Sequence, residues 1–161
     1  MITNKVLERI EKGEKALGLA MTQPSDELVE MAGRMGLDFV GFDGQHSPIS
    51  PEAVDRLCRI ADGFGITPIM RIPDHRESTI LSYLDRGIRQ ITVPNLQTRE
   101  QAEDLVRYSF FAPKGLRSET SLRVVFNRQG DRTQMLLDVN ANTILVPQLE
   151  SVTALENLDE I

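Results

Sequence analysis

Residues 39–71, FVGFDGQHSPISPEAVDRLCRIADGFGITPIMR, read as one complete strand–helix–strand unit. Phe39-Val40-Gly41-Phe42 is an apolar run of strand length, and Thr67-Pro68-Ile69-Met70 is another. Between them, Ser50 followed by Pro51 makes a helix start of the cap-then-proline kind. Val54, Leu57, Ile60 and Ala61 then recur at helical spacing as a buried stripe, and Gly65 stops the helix. The single cysteine, Cys58, falls among them and reads as core packing rather than as a reactive thiol. A strand, a helix and a strand in that order predict parallel strands joined by a right-handed crossover, with the helix covering the sheet.

The same rhythm extends in both directions. Upstream, Asn4 caps a helix carrying Val6, Leu7 and Ile10 that stops at Gly13, and Ala16 to Met21 forms the first strand. Pro24 and Ser25 open a helix with an acidic first turn (Asp26, Glu27), apolar at Leu28, Val29, Ala32 and Met35 and closed by Gly36. Downstream, a helix through Ile80, Leu81 and Leu84 stops at Gly87, and Ile88 to Val93 is a fourth strand ending on Pro94. Thr98-Arg99-Glu100-Gln101 fits a capping box and launches a helix through Ala102, Leu105 and Val106. The stretch from Ala112 to Asn142 breaks the rhythm. It carries Arg117, Arg123, Arg128 and Arg132 and one short helical patch at Met135, Leu136 and Leu137. It reads as a long crossover decorating the rim, its arginines solvated rather than gripping an acidic partner. Thr143 to Val146 is the fifth strand, and Val152, Leu155 and Leu158 begin a last helix.

The chain of 161 residues, 40% hydrophobic and 26% charged, has the composition of an ordinary globular protein. A formal net charge of −6, with basic residues scattered rather than striped, argues against nucleic-acid binding. No apolar run approaches the roughly 20 residues of a membrane span, and Met1 to Lys5 lead into a charged amphipathic segment rather than a signal-peptide core. A soluble cytoplasmic chain is expected. It forms one α/β domain over residues 1–161. Two architectures suit five parallel strands: the first five units of a (β/α)8 barrel of the TIM type, which in full takes about 250 residues, or an open doubly wound sheet. No glycine-rich phosphate fingerprint follows the first strand, which weakens the nucleotide-binding version of the second.

Four of the apolar runs end on polar residues: Asp43-Gly44-Gln45-His46, Met70-Arg71, Pro94-Asn95 and Pro147-Gln148-Leu149-Glu150. In a barrel all such ends converge on one rim, where active sites are built. Each also has a plain structural reading. His46 could be a surface or capping residue, Arg71 an ion-pair partner, and Glu150 a cap for the helix that follows it. Asp85 in Leu84-Asp85-Arg86-Gly87 could be only a charged helix end, and His75 reads as part of a solvated helix start.

Phe39 to Pro48, Pro68 to Pro73, Leu84 to Gly87, Val93-Pro94, Thr98 to Ala102, Ala112 to Ser118 and Gln148 to Ser151 together resemble the HpcH/HpaI aldolase family, and the likeness is collinear to Ile161. The resemblance implies an eight-stranded barrel, of which this chain would be an incomplete copy. It implies a metal-dependent pyruvate aldolase (class II) acting on 4-hydroxy-2-oxo or 2-keto-3-deoxy acids, in which a cation neutralises charge on the enolate oxygen. In that light Glu150 would be a metal ligand and Gln148 a polar contact to substrate. The cation would be Mg²⁺ or Mn²⁺, with Co²⁺ or Zn²⁺ accepted. Arg71 would hold the keto and enolate oxygen, a task for a permanently charged fork. His46 would be the general base, imidazole being suited to proton transfer near neutrality. Asp85 would orient that histidine, from the same or a neighbouring subunit, and Asp43 would lie beside the substrate at the same strand end. A homo-oligomer is implied as well.

Two departures stand out. Gln45-His46-Ser47 replaces a frequent Glu-His-Gly, deleting a charge beside the base. The family's second metal ligand, an aspartate on the next strand, would fall beyond Ile161. Two alternatives stay open: a catalytically silent or incomplete subunit, and an acyl-CoA lyase resembling citrate lyase β subunits.

Overall fold

The computed structural model describes residues 3–119 and 131–161. Its elements are α1 (Lys5–Glu11), β1 (Gly18–Met21), α2 (Asp26–Arg34), β2 (Phe39–Asp43), α3 (Pro51–Gly63), β3 (Thr67–Arg71), α4 (Glu77–Leu84), β4 (Gln90–Val93), α5 (Arg99–Ser109), α6 (Arg132–Ala141), β5 (Ile144–Pro147) and α7 (Val152–Glu156).

The helix starts follow the local chemistry of the sequence. Asn4, Ser25, Ser50, Thr98 and Ser151 each accept a backbone N–H from the first turn of the helix they precede. Thr98 and Gln101 form the reciprocal capping box. Such caps satisfy orphan donors worth about 1 kcal/mol each. At the other end, α2 and α3 run out into Gly36 (φ +75°) and Gly65 (φ +66°), a conformation that a side chain would strain.

The five strands are all parallel and lie in the order β1-β2-β3-β4-β5. That order decides between the two architectures. A doubly wound sheet reverses direction at a switch point and places helices on both faces. A consecutive order, wound with one hand, keeps every helix on one side, as in the TIM barrel. The exposure pattern agrees. Val40, Phe42, Met70, Ile91 and Val93 face the helices and are at most 3% exposed. Their alternate neighbours Gly41, Asp43, Ile69, Arg71, Gln90 and Thr92 are half-buried on the concave face. Parallel sheets normally bury both faces and show no such alternation. Among the described residues, β1 and β5 are the two edges of the sheet.

The main hydrophobic core fills the space between sheet and helices, with Val54, Leu57, Cys58 and Ala61 of α3 completely buried in it, and Phe111 and Val139 form a second, smaller cluster. At the foot of the sheet, the N-terminal ends of the strands, α1 is fastened by the Lys5 N–H to the Thr67 hydroxyl (2.9 Å) and by the Asn4 amide to the Asn142 carbonyl (2.9 Å).

The crossover after α5 differs from the expectation. The short helical patch is a ten-residue helix, α6, capped by Asp131. The described part of the crossover lies at the foot rather than the rim. The Leu116 N–H reaches the Arg107 carbonyl and the Arg117 N–H reaches the Phe110 carbonyl, so the segment folds against the end of α5. Asn140, at the end of α6, exchanges two hydrogen bonds with the backbone of Phe111. Arg117, expected in a solvated loop, has a side chain only 1% exposed, stacked 4.6 Å from the centre of the Phe111 ring. Arg132 is exposed and pairs with Glu119, while Arg123 and Arg128 lie outside the described residues.

Candidate active site

The site is built at the ends of β2 and β3, where Asp43 and Arg71 are register partners. Their alternating positions put both on the concave face. The Arg71 guanidinium forks onto the Asp43 carboxylate, Nε to Oδ1 at 3.1 Å and Nη2 to Oδ2 at 2.5 Å. The pair lines an open cleft of about 270 Å³ together with Ala20, Gly41, Ile69 and Thr92.

Asp43 does more than hold the arginine. Its Oδ1 also accepts the backbone N–H groups of Gln45 (3.0 Å) and His46 (3.2 Å). The Ser47 hydroxyl donates back to the Asp43 carbonyl, closing the turn that carries His46. The Arg71 hydrogen bond dominates in holding the Asp43 carboxyl down to about 2; the two backbone donors act the same way, against burial, which pushes it up. Arg71 is raised above its ordinary value, chiefly by Asp43 and to a lesser degree by the charge of Glu150. Both oxygens of Asp43 are therefore engaged within the protein, while its side chain, 17% exposed, still lines the cleft.

Gly44 allows the close approach of the two strand ends. Its N–H donates to the Arg71 carbonyl at 2.7 Å. A Cβ there would come within 2.5 Å of the Met70 side chain and 3.0 Å of that same carbonyl.

The ends of β4 and β5 form the other half of the rim. The Gln148 N–H donates to the Val93 carbonyl (2.8 Å) and the Leu96 N–H to the Gln148 carbonyl (3.2 Å). Glu150 Oε1 accepts the Asn95 N–H at 3.0 Å. The side-chain Oε1 of Gln148 is buried without a hydrogen-bond partner among the described residues.

His46, Arg71, Gln148 and Glu150 are thus placed on one rim. His46 is exposed, carried on the turn that Asp43 organises. Asp85 is not brought to them within this chain. It closes α4 at the foot, four residues before Arg89 donates to the Pro68 carbonyl. The five residues of β3, about 16 Å of strand, separate the two poles. There Asp85 accepts from Arg117 Nη2 at 2.8 Å, a partner 32 positions away that no local pattern announces. Sequence reasoning also left Asn95 without a role, although its φ of +54° is the only positive value at a non-glycine among the described residues.

A model of the HpcH/HpaI aldolase/citrate lyase family matches residues 17–161. The chain belongs to this family. Among its curated relatives, 2-keto-3-deoxy-L-rhamnonate aldolase of Escherichia coli O17:K52:H18 (strain UMN026 / ExPEC) is 30% identical over 161 residues, which are 100% of this chain and 60% of that protein. The crystal structure of citrate synthase SbnG matches with a TM-score of 0.85 and 27% identity, over 100% of this chain and 61% of its own. The HpcH/HpaI aldolase from Desulfitobacterium hafniense DCB-2 shares the fold, with a TM-score of 0.89 at 22% identity over 97% of this chain and 61% of its own. The chain therefore spans about 60% of the length of the relatives it matches.

A divalent cation goes with aldolases of this kind, and the rim can be tested for it. Among the described residues no three His, Cys, Asp or Glu side chains converge as a ready metal site. What is present is one carboxylate, Glu150, held in place, and the orphaned amide oxygen of Gln148 nearby in sequence. Hard cations such as Mg²⁺ bind through one or two carboxylates and complete their shell with water and substrate oxygens. A carboxylate and an amide oxygen are hard donors of the kind such an ion takes.

Proposed function

We propose that this chain carries the pyruvate-handling half of a metal-dependent aldolase, which reversibly cleaves 4-hydroxy-2-oxo or 2-keto-3-deoxy acids into pyruvate and an aldehyde. The observation that carries this reading is the forked Asp43–Arg71 pair on the rim, with the charge of Glu150 acting on the same guanidinium. Asp43 occupies two of the five N–H donors of a guanidinium, and the remainder are free to hold an oxyanion on substrate. His46 takes the proton from the C4 hydroxyl. The electrons of the C3–C4 bond pass to the C2 oxygen, the aldehyde departs, and the resulting enolate is reprotonated at C3. Arg71 stabilises the negative C2 oxygen, an interaction stronger in the transition state than in the ground state.

A Mg²⁺ or Mn²⁺ ion, with Co²⁺ or Zn²⁺ as substitutes, would be held by Glu150 and would neutralise the same developing charge. Gln148 contacts substrate from the β5 side. The protein works in the cytoplasm as a homo-oligomer, in which Asp85 of one copy orients the catalytic histidine of another. One fact supports this last point: the side chain of Asp85 is 24% exposed although paired with Arg117.

The enolisation half-reaction tests the proposal without an aldehyde. Pyruvate in D₂O with Mg²⁺ and the purified chain should exchange its methyl protons, read by proton NMR. Pyruvate release from a 4-hydroxy-2-oxo acid should follow in a lactate-dehydrogenase-coupled assay. A second reading is favoured by the half-exposed concave face: the arc becomes active only when another polypeptide covers that face. If the purified chain gives no exchange and no release, the second reading stands over the first.

A further inference from the structure

The tightest unexplained feature on the rim is the residue after Pro94. Asn95 adopts φ +54°, a left-handed conformation that asparagine tolerates and β-branched residues avoid. It is exposed, so burial does not force it there. The left-handed turn relates this residue's N–H to the chain that follows it, and with the chain tied on both sides the N–H donates to Glu150 Oε1 on the neighbouring loop at 3.0 Å. The bonds on either side of it show why that N–H is fixed. The Gln148 N–H to the Val93 carbonyl and the Leu96 N–H to the Gln148 carbonyl lock the two loops in register. The Asn157 side-chain amide adds a fourth tie, to the Gln97 carbonyl (2.9 Å). The left-handed residue sits between these ties, and its backbone donor takes the one carboxylate on the β5 side of the rim.

We infer that Asn95 is a positioning residue whose left-handed backbone aims its N–H at Glu150 and holds that carboxylate ready for a divalent cation. This rests on the reading of Glu150 as a ligand. A carboxylate on an exposed loop samples several rotamers, and freezing one of them before the ion arrives removes part of the cost of binding. Outer partners that orient metal-binding groups act in this way, and their loss typically weakens metal affinity by 10- to 100-fold. The agent is the backbone, so the requirement falls on the conformation and not on the asparagine amide.

The test is Mn²⁺ binding to the full chain, measured by EPR of the free ion, for the wild type and for N95G, N95A, N95V and E150A. Backbone amide NMR on the same proteins reports whether the residue-95 N–H keeps its contact. Glycine accepts positive φ, so N95G should bind within about twofold of wild type. N95V should bind roughly tenfold more weakly, with N95A between them and the amide signal displaced in step. E150A should abolish binding and free the residue-95 amide. If N95V does not fold, the comparison of N95A with N95G carries the test. Equal affinity in all three Asn95 variants overturns the inference, as does an N95G as impaired as N95A. Wild type that binds no Mn²⁺, or binding indifferent to E150A, overturns instead the reading of Glu150 as ligand, and the inference with it.

Discussion

Asp43→Asn strikes the group on which the candidate site depends. The Asp43 carboxyl is depressed from its ordinary 3.8 to about 2. A shift of about 1.8 units at 1.36 kcal/mol per unit is about 2.4 kcal/mol of preference for the ionised form in the folded state. The side chains of Asp43 and Arg71 are 17% and 31% exposed, so solvent screening trims this only modestly, and about 2 kcal/mol is expected. The folded pKa is the lower one. The stabilisation is therefore fully present above about pH 4 and is lost as pH falls through about 2. Urea denaturation of wild type and D43N at pH 7, 5, 4 and 3 reads the difference directly. The gap should stay near 2 kcal/mol from pH 7 to 5, narrow by pH 4 and close further at pH 3. A gap under about 0.5 kcal/mol at pH 7 would refute the reasoning. A gap that stays constant down to pH 3 would show that the loss is steric rather than ionic.

At Gly44, substitution by alanine places a methyl group against Met70 and the Arg71 carbonyl. Overpacking of this kind costs about 1–3 kcal/mol, visible as a lower melting temperature together with weakened pyruvate binding. The Arg117–Asp85 pair should respond asymmetrically, because Arg117 is 1% and Asp85 24% exposed. D85A strands a buried cation and should cost about 3 kcal/mol in urea denaturation, whereas R117M leaves a carboxylate that can hydrate and should cost less; the reverse order would contradict the burial argument. Arg71→Lys keeps the charge but not the fork. It should slow pyruvate proton exchange by at least about a hundredfold while leaving the chain folded by circular dichroism.

The strand and helix order was legible because its signals are local. Ser50-Pro51, the Thr98–Gln101 box and the stop at Gly65 each act within a few residues of where they stand. Barrel-type winding was not legible from these, since strand–helix alternation is common to both candidate architectures; the strand order in space separates them. Arg71, His46 and Asp43 could be singled out as strand-end residues, but the contacts by which Asp43 serves the other two could not. Asp43 is 28 positions from Arg71, and their contact exists only because β2 and β3 pair in that register. Asp85 and Arg117 illustrate the same limit. The crossover was read as rim decoration because its arginines look solvated, yet one of them is drawn under the Phe111 ring at the other pole.

The winding and the electrostatics bear on each other. A pair of unit charges about 4 Å apart interacts by about 1 kcal/mol in water and about 4 kcal/mol at the effective dielectric of a protein surface. The concave face, where Arg71 and Asp43 stand, is half exposed in this chain, which spans about 60% of the length of its relatives. Local contacts fix the positions of these groups: the β2–β3 register, the Gly44 approach and the turn capped by the Asp43 side chain all lie among the described residues. The strength with which the guanidinium stabilises an oxyanion is different. It depends on what displaces water from the concave face, so the same residues at the same distances would act more strongly once that face is covered.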